Sequence, residues 1–124
     1  MSSTDELRKL STLVLRQRKA RLFQQLRQAC LPLIRGSLAE RFLTCGRPQC
    51  SCHQGRKHGP FYYLNRCLPQ GRMSSLLLKS PEQIAQARQA VAAFASVTDL
   101  IDQLSWINLE LLRRHEPLNP QDTP

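Results

Sequence analysis

Aromatic residues are scarce in this 124-residue chain, and it has no long apolar run. Phe, Trp and Tyr together make up 6% of the residues, so the chain has few of the large side chains that fill a thick core. No apolar run reaches the roughly 18 residues that a membrane-spanning helix requires. The first nine residues are polar and do not resemble a secretion signal. We therefore expect a small cytoplasmic protein without a membrane-spanning segment.

Sequence signatures of catalysis are also missing. The chain has no phosphate-binding loop, no nucleophile elbow and no pair of carboxylates placed for general acid–base work. Residues 36–79 contain a single carboxylate, Glu40, and no His-x-Glu or Cys-x-Glu pair precedes the cysteines as in zinc deaminases. The sequence thus gives no support for an enzyme.

Acidic residues are rare in the first two thirds of the chain. Residues 1–79 contain 15 Lys and Arg against 3 Asp and Glu, whereas residues 80–124 contain 3 against 6. Arginine outnumbers lysine 14 to 4, and arginine forms planar forks with phosphate and stacks on bases. A basic half joined to a mildly acidic half is typical of polyanion-binding proteins. A basic protein with no nucleic-acid role is the alternative.

Cysteine and histidine are concentrated in one short segment. Residues 45–58 contain Cys45, Cys50, Cys52, His53 and His58, among glycines and a proline that favour turns. In a reducing compartment such a cluster favours a metal site over a disulfide framework. Zinc is the metal that thiolate and imidazole ligands most often hold in a tetrahedron. Buried thiols without a metal are the alternative.

Three cysteines leave the fourth ligand to be assigned. We favour His58, because its position six residues after Cys52 permits a loop between them. His53 adjoins Cys52 and would strain a four-ligand site, and Cys67 is a more distant alternative. Cys30 and Cys67 lie in apolar or strand-like runs, where we expect packed thiols. A site closed by four protein ligands is structural rather than catalytic.

The distribution of helix formers and breakers predicts an α+β fold. Residues 5–30 lack glycine and proline, which predicts one basic helix that ends near Pro32. Residues 37–44 fit either a short capped helix or a strand, and we favour the strand. Two β-prone runs at 61–67 and 72–78 flank a Pro/Gly turn and predict a hairpin. Together these strands would form a small three-stranded antiparallel sheet beside the zinc knuckle.

The last third of the chain predicts a long helix. Ser80 and Pro81 suit a helix start, and the helix is expected to reach about His115. A helical hairpin broken near residues 96–98 is the alternative. The predicted segments are a basic helix over 1–33, the zinc knuckle and hairpin over 34–79, the C-terminal helix over 80–116 and a disordered tail over 117–124.

A set of short motifs stands in order along the chain. They are Arg-Gly-Ser-Leu at 35–38, Cys-Gly-x-Pro-x-Cys-x-Cys at 45–52, His-Gly-Pro-Phe-Tyr-Tyr-Leu at 58–64, Gly-Arg at 71–72 and Asn-Leu-Glu-Leu-Leu-Arg-Arg at 108–114. The set resembles a family of small bacterial proteins catalogued as a domain of unknown function, over roughly residues 34–115 with the N-terminal helix outside. The resemblance implies Cys45, Cys50, Cys52 and His58 as the motif positions. Because such proteins are often met near mobile-element genes, it also implies a DNA-related accessory role.

The leading hypothesis is a zinc-stabilised protein that binds nucleic acid, with DNA favoured over RNA. The expected contacts are Arg47, Arg56, Lys57, Tyr62, Arg66 and Arg72 on the knuckle and hairpin, and Arg16, Arg18, Lys19 and Arg21 on the first helix. Neighbouring residues of a strand point to opposite faces, so one tyrosine of the 62–63 pair should face the core while the other can stack on a base. Core packing of both tyrosines is the alternative.

A second hypothesis is a protein–protein adaptor or oligomerisation module that works through the C-terminal helix. The apolar positions follow a 3–4 spacing at Phe94, Val97, Ile101, Leu104, Asn108 and Leu111. A short coiled coil could use this seam, with Asn108 setting the register of a parallel homodimer. An exposed Trp106 would mark an interface, although we expect it to pack against the N-terminal helix. A transposase or recombinase partner would combine both hypotheses.

Overall fold

The computed structural model describes residues 4–119, which belong to two compact units. The first unit combines the chain up to Leu31 with the chain from Ala95 onward, and the second is Pro32–Phe94. Three α-helices and one three-stranded antiparallel sheet lie within the described residues, so the predicted α+β fold is confirmed. None of the helices in residues 4–119 is both long and apolar enough to cross a membrane.

The predicted N-terminal helix is present, but it is interrupted once, so the chain forms two helices there. Helix α1 spans Thr4–Arg8 and helix α2 spans Thr12–Cys30. Ser11 has an extended backbone between them, and its hydroxyl accepts a hydrogen bond from the Val14 N–H at 3.2 Å. Serine in this role satisfies one of the free donors at a helix start. A capping serine, and not a glycine or a proline, therefore interrupts the helix.

Arg114 caps the end of α1 from the far end of the sequence. Its guanidinium donates hydrogen bonds to the carbonyls of Leu7, Arg8 and Leu10 at 3.0, 3.3 and 2.7 Å. The last carbonyls of a helix have no partner within it, so these bonds satisfy acceptors that would otherwise be left free. The core of the first unit lies beside this contact and contains Leu7, Leu15, Leu22, Ile107 and Leu111.

Helix α3 is one continuous helix over Pro81–Arg113, so the helical hairpin is not formed. The Ser80 hydroxyl accepts a hydrogen bond from the Gln83 N–H at 3.1 Å, which is the predicted cap. The second half of α3 contributes Ile107 and Leu111 to the core of the first unit, with Leu104 packed against them. This part of the predicted coiled-coil seam is therefore used within the chain.

The sheet consists of β1 (Ser37–Leu43), β2 (His58–Cys67) and β3 (Met73–Leu78) in the order β1-β2-β3. Both neighbouring pairs are antiparallel. The strand interpretation of residues 37–44 and the predicted hairpin are thus confirmed. The central strand, β2, begins at His58 and so runs directly out of the cysteine segment.

One face of the sheet packs against the first half of α3. Leu64, Leu78 and Ala87 form its buried centre, and Tyr62 and Ile84 pack against them. Tyr62 also receives the Arg88 guanidinium over its ring, 5.9 Å from the ring centroid. Because strand residues alternate between faces, Phe61 and Tyr63 lie on the opposite face. This division of the sheet determines which tyrosine can meet a ligand.

The expectation that Cys30 and Cys67 are packed thiols is corrected by the structure, because both are exposed. The start of the predicted disordered tail is held down, because Arg16 donates to the Pro117 carbonyl and Lys19 to the Leu118 carbonyl. Residues 120–124 of that tail lie outside the described residues. Arg16 is half-buried and Lys19 is buried, so both cations need these acceptors in place of water.

Candidate metal centre

The candidate metal centre is built from three neighbouring pieces of the second unit. Cys45 follows β1, Cys50 and Cys52 lie at the start of a 3-10 turn over Ser51–Gln54, and His58 is the first residue of β2. Gly55 ends the turn with a φ of 102°, a conformation that glycine adopts without steric cost. The turn reverses the chain, so that all four side chains converge.

The four predicted ligands come together in the structure. Their ligand atoms, three Sγ and one imidazole nitrogen, all lie within 4.8 Å of one another. The sulfurs of Cys45 and Cys52 are 3.6 Å apart, and Cys50 Sγ is 3.2 Å from His58 Nε2. Zn–S bonds of about 2.3 Å in a tetrahedron place two sulfurs about 3.8 Å apart. The cluster therefore has the size of a four-coordinate site and could hold one metal ion.

The protonation of the thiols is shaped by hydrogen bonds in the cluster. The backbone N–H of Cys52, followed by the side chains of Cys52, Cys45 and His58, lowers the pKa of Cys50 to about 6. The Cys45 N–H donates to Cys52 Sγ at 3.3 Å and favours the Cys52 thiolate, but burial and the two other thiols together raise the pKa of Cys52. Hydrogen bonds thus favour the thiolate of Cys50, whereas burial favours the neutral thiol of Cys52.

Close packing of two strands fixes the position of His58. A Cβ atom on Gly59 would lie 2.8 Å from the Arg41 carbonyl oxygen and 3.0 Å from the Phe42 ring. Gly59 also has a φ of 142°, which favours glycine. Only glycine therefore lets β2 approach β1 closely enough, and His58 immediately precedes this contact.

The centre is buried on one side and open on the other. Cys52 is 1% exposed, whereas His58 is exposed. Cys45, Cys50 and His58 line an open depression of about 520 Å³, together with Leu43, Arg47 and Phe61. A bound ion would thus be anchored to the interior through Cys52 and would lie close to the surface at His58.

The rejected ligand candidates do not join this cluster. His53 is exposed and its side chain is not among the converging ligand atoms. Cys67 lies at the far end of β2, opposite Met73 of β3. Nine residues of β2, at about 3.3 Å each, separate Cys67 from His58. Cys67 is therefore far from the other thiols.

The cations proposed for nucleic-acid contact fall into two groups. Those on the knuckle and hairpin are all exposed: Arg47, Arg56, Lys57, Arg66 and Arg72. On α2, Arg18 and Arg21 are exposed, but Lys19 is buried. Desolvation and then the charge of Arg16 lower the pKa of Lys19. Arg16 itself pairs with Glu116 at 3.3 Å, so both Arg16 and Lys19 have partners within the fold, and their contact with nucleic acid stays a prediction.

Tyr62, the predicted stacking residue, lies on the face of the sheet that α3 covers. Tyr62 packs against the buried centre of the sheet, while Tyr63 lies on the other face with Arg41 over its ring at 5.0 Å. Trp106 is 39% exposed and lines a cavity of about 270 Å³ with Leu7, Arg18 and Leu22. It therefore lies beside α1 and α2 but stays exposed, so the expected core packing of Trp106 is not formed.

The fold and the site define a small α+β protein with a candidate Cys3His metal centre. The chain belongs to the family described as Domain of unknown function (DUF6788), whose model matches residues 12–89. That range includes α2, which the motif resemblance had left outside, and ends within α3. No curated protein and no solved structure matches the chain.

Proposed function

We propose that this protein is a small accessory protein that binds nucleic acid through a zinc-stabilised knuckle and sheet. The observation that carries the proposal is the charge of the segment that contains the metal centre. Residues 41–81 contain seven Lys and Arg and no Asp or Glu. Such a segment attracts a phosphate backbone, because each bound phosphate releases condensed counterions.

Zinc is the proposed ion because of the ligand types. Three thiolates and one imidazole are soft or borderline ligands, and zinc accepts them in the tetrahedral arrangement that structural sites use. A structural ion would join β1, the 3-10 turn and β2 around a single point. It would thus hold the exposed cations Arg47, Arg56 and Lys57 on a fixed framework.

DNA is the favoured nucleic acid, and a recombinase or transposase is the proposed protein partner. Both assignments rest on the mobile-element setting that the motif resemblance implies. The exposed Arg18 and Arg21 of the first unit are proposed as additional phosphate contacts.

The salt dependence of binding tests the proposal. Fluorescence anisotropy with labelled duplex and single-stranded DNA should give, for about five neutralised phosphates, a slope of about −4 to −5 in log K against log salt for the duplex. The double variant Arg47→Gln, Lys57→Gln should reduce that slope by about 2. The matched control Lys9→Gln, Arg27→Gln removes the same charge at exposed positions outside the knuckle. Binding that ignores salt, or an equal effect of both double variants, would contradict the proposal.

A second candidate function is self-association through α3, and a specific surface favours it. Ile101, Leu109 and Leu112 are 50%, 54% and 58% exposed and follow helical spacing along one side of α3. Asn108 lies beside them, and its buried Oδ1 accepts no hydrogen bond within residues 4–119. That atom is enclosed within the first unit, so this candidate rests on the three exposed apolar side chains and not on Asn108.

Sedimentation equilibrium separates this candidate from the first. Self-association predicts a mass that rises with concentration and becomes constant in the variant Leu109→Lys, Leu112→Lys. A monomer at all concentrations would exclude the homodimer and leave the nucleic-acid proposal untouched.

A further inference from the structure

The sheet has one face that α3 does not cover. Tyr63 of β2 lies between Ala39 of β1 and Leu77 of β3 on this face, and Phe61 lies beside Arg41. Phe61 and Tyr63 are half-buried, while Leu77 is 36% exposed. The central strand therefore presents two aromatic rings, two residues apart, on an accessible surface.

The spacing of the two rings suits consecutive bases. Residues i and i+2 of a strand are separated by about 7 Å. An extended nucleic-acid strand can place successive bases at a similar separation, so each ring could receive one base face. Stacking of this kind tolerates any sequence because every base has a π-face.

Arg41 adds charge and a second planar group to this face. Its guanidinium lies over the Tyr63 ring, 5.0 Å from the centroid. A guanidinium plane held against a ring is itself a stacking surface for a base, and its N–H groups remain able to donate to phosphate. Arg41 thus joins the aromatic and the electrostatic parts of the surface.

Phe61 connects this face to the metal centre. It lines the open depression that Arg47, Cys50 and His58 also border. A nucleic-acid strand that crossed Tyr63 and then Phe61 would therefore continue toward Arg47, an exposed cation of the knuckle.

The charge of the open face is complementary to a nucleic acid. Glu40, the single carboxylate within residues 36–81, is paired in register with Tyr62 and belongs to the helix-covered side of the sheet. The open face thus combines aromatic rings with arginine and carries no opposing carboxylate from the strands.

We propose that the sheet face carrying Phe61, Tyr63 and Arg41 binds single-stranded nucleic acid by stacking its bases. The inference rests on the proposed function and specifies the form of nucleic acid at that site. A duplex hides its base faces in its own stack, whereas an unpaired strand exposes them. DNA and RNA share the base chemistry that this face recognises.

The test compares three labelled oligonucleotides by anisotropy at one salt concentration. These are a 12-nucleotide DNA strand, the RNA strand of the same sequence and the corresponding DNA duplex. Both single strands should bind more tightly than the duplex. The strand that binds more tightly shows whether DNA or RNA is the preferred ligand. Tyr63→Ile should weaken single-strand binding roughly 5- to 100-fold, because a stacking ring is lost. The control Tyr62→Ile makes the same change on the helix-covered face and should leave the affinity within about twofold once folding is verified.

A second variant keeps the inference falsifiable if Tyr63→Ile fails to fold. Tyr63→Trp, introduced together with Trp106→Phe, retains a stacking ring and gives one fluorophore. It should keep the single-strand affinity and lose fluorescence when the strand is bound. Duplex binding equal to single-strand binding, with no fluorescence change, would overturn this inference alone. Failure of all three oligonucleotides to bind would instead overturn the proposed function.

Discussion

Cys50 and His58 are eight positions apart in sequence, yet Cys50 Sγ lies 3.2 Å from His58 Nε2. Two elements create this approach: the 3-10 turn that follows Cys50 and the first residue of β2. The contact links the loop to the sheet and makes His58 the ligand on which closure of the candidate site depends.

His58→Ala should therefore remove most of the bound metal. We expect about one zinc per chain in natively purified protein and a large loss in this variant, because three remaining ligands bind zinc more weakly and leave an open position. Elemental mass spectrometry measures the ratio directly. His53→Ala serves as the matched control and should retain the wild-type metal content, since His53 is outside the cluster. Equal metal loss in both variants would contradict the ligand assignment.

Removal of the metal should unfold the middle of the chain. In small metal sites the binding free energy is largely folding free energy, about 10–16 kcal/mol for zinc-finger peptides near neutral pH. A strong chelator, or the substitution Cys50→Ser, should thus abolish protection of the β2 amides in hydrogen exchange. Full retention of that protection after chelation would show that the four side chains do not depend on a metal.

Gly59→Ala should destabilise the sheet by about 2–3 kcal/mol, because it adds a Cβ against backbone at a positive φ. That Cβ would meet the Arg41 carbonyl oxygen at 2.8 Å, a partner that cannot rotate away. Gly46→Ala is the control, since no atom lies within 4 Å of its new methyl group. Urea unfolding of both variants gives the comparison, and similar midpoints for the two would refute the packing argument.

Stability should fall in acid through Glu110. The Arg113 guanidinium donates to its carboxylate at 2.7 Å and, with help from Arg114 and against the effect of burial, lowers the pKa of Glu110 to about 2. A carboxyl group whose pKa is lower in the folded state stabilises the fold above its unfolded pKa of about 4.3. That contribution is lost as the pH falls from about 4.3 to about 2. Thermal unfolding between pH 6 and pH 2 should therefore be less pH-dependent in Glu110→Gln, and an unchanged pH dependence would exclude this ion pair as the cause.

The sequence was most informative where local chemistry decides the structure. Ser80 and Pro81 marked the start of α3 correctly, and the Pro/Gly turn before Arg72 marked the hairpin. Three cysteines and two histidines lie within fourteen residues, and the position of His58 six residues after Cys52 favoured it as the fourth candidate ligand.

The sequence did not predict the surroundings of side chains whose contacts join distant parts of the chain. Arg16 and Lys19 looked like surface cations, but their acceptors lie about a hundred residues away at Glu116 and Leu118. The choice between Tyr62 and Tyr63 required the strand register and the side on which α3 packs. The hydrophobic pattern does not distinguish Tyr62 from Tyr63, because the two residues are identical and adjacent in β2.

Because Arg114 caps α1, the first unit can complete its folding only after the second unit has been synthesised. The first unit joins the beginning of the chain to residues beyond Ala95, whereas the second is one uninterrupted stretch. During synthesis from the N-terminus, Leu7, Leu15 and Leu22 must wait for Ile107 and Leu111 to leave the ribosome before their common core can close. The stretch that holds the four candidate ligands is complete earlier. The four candidate ligands can thus converge before the core of the first unit closes.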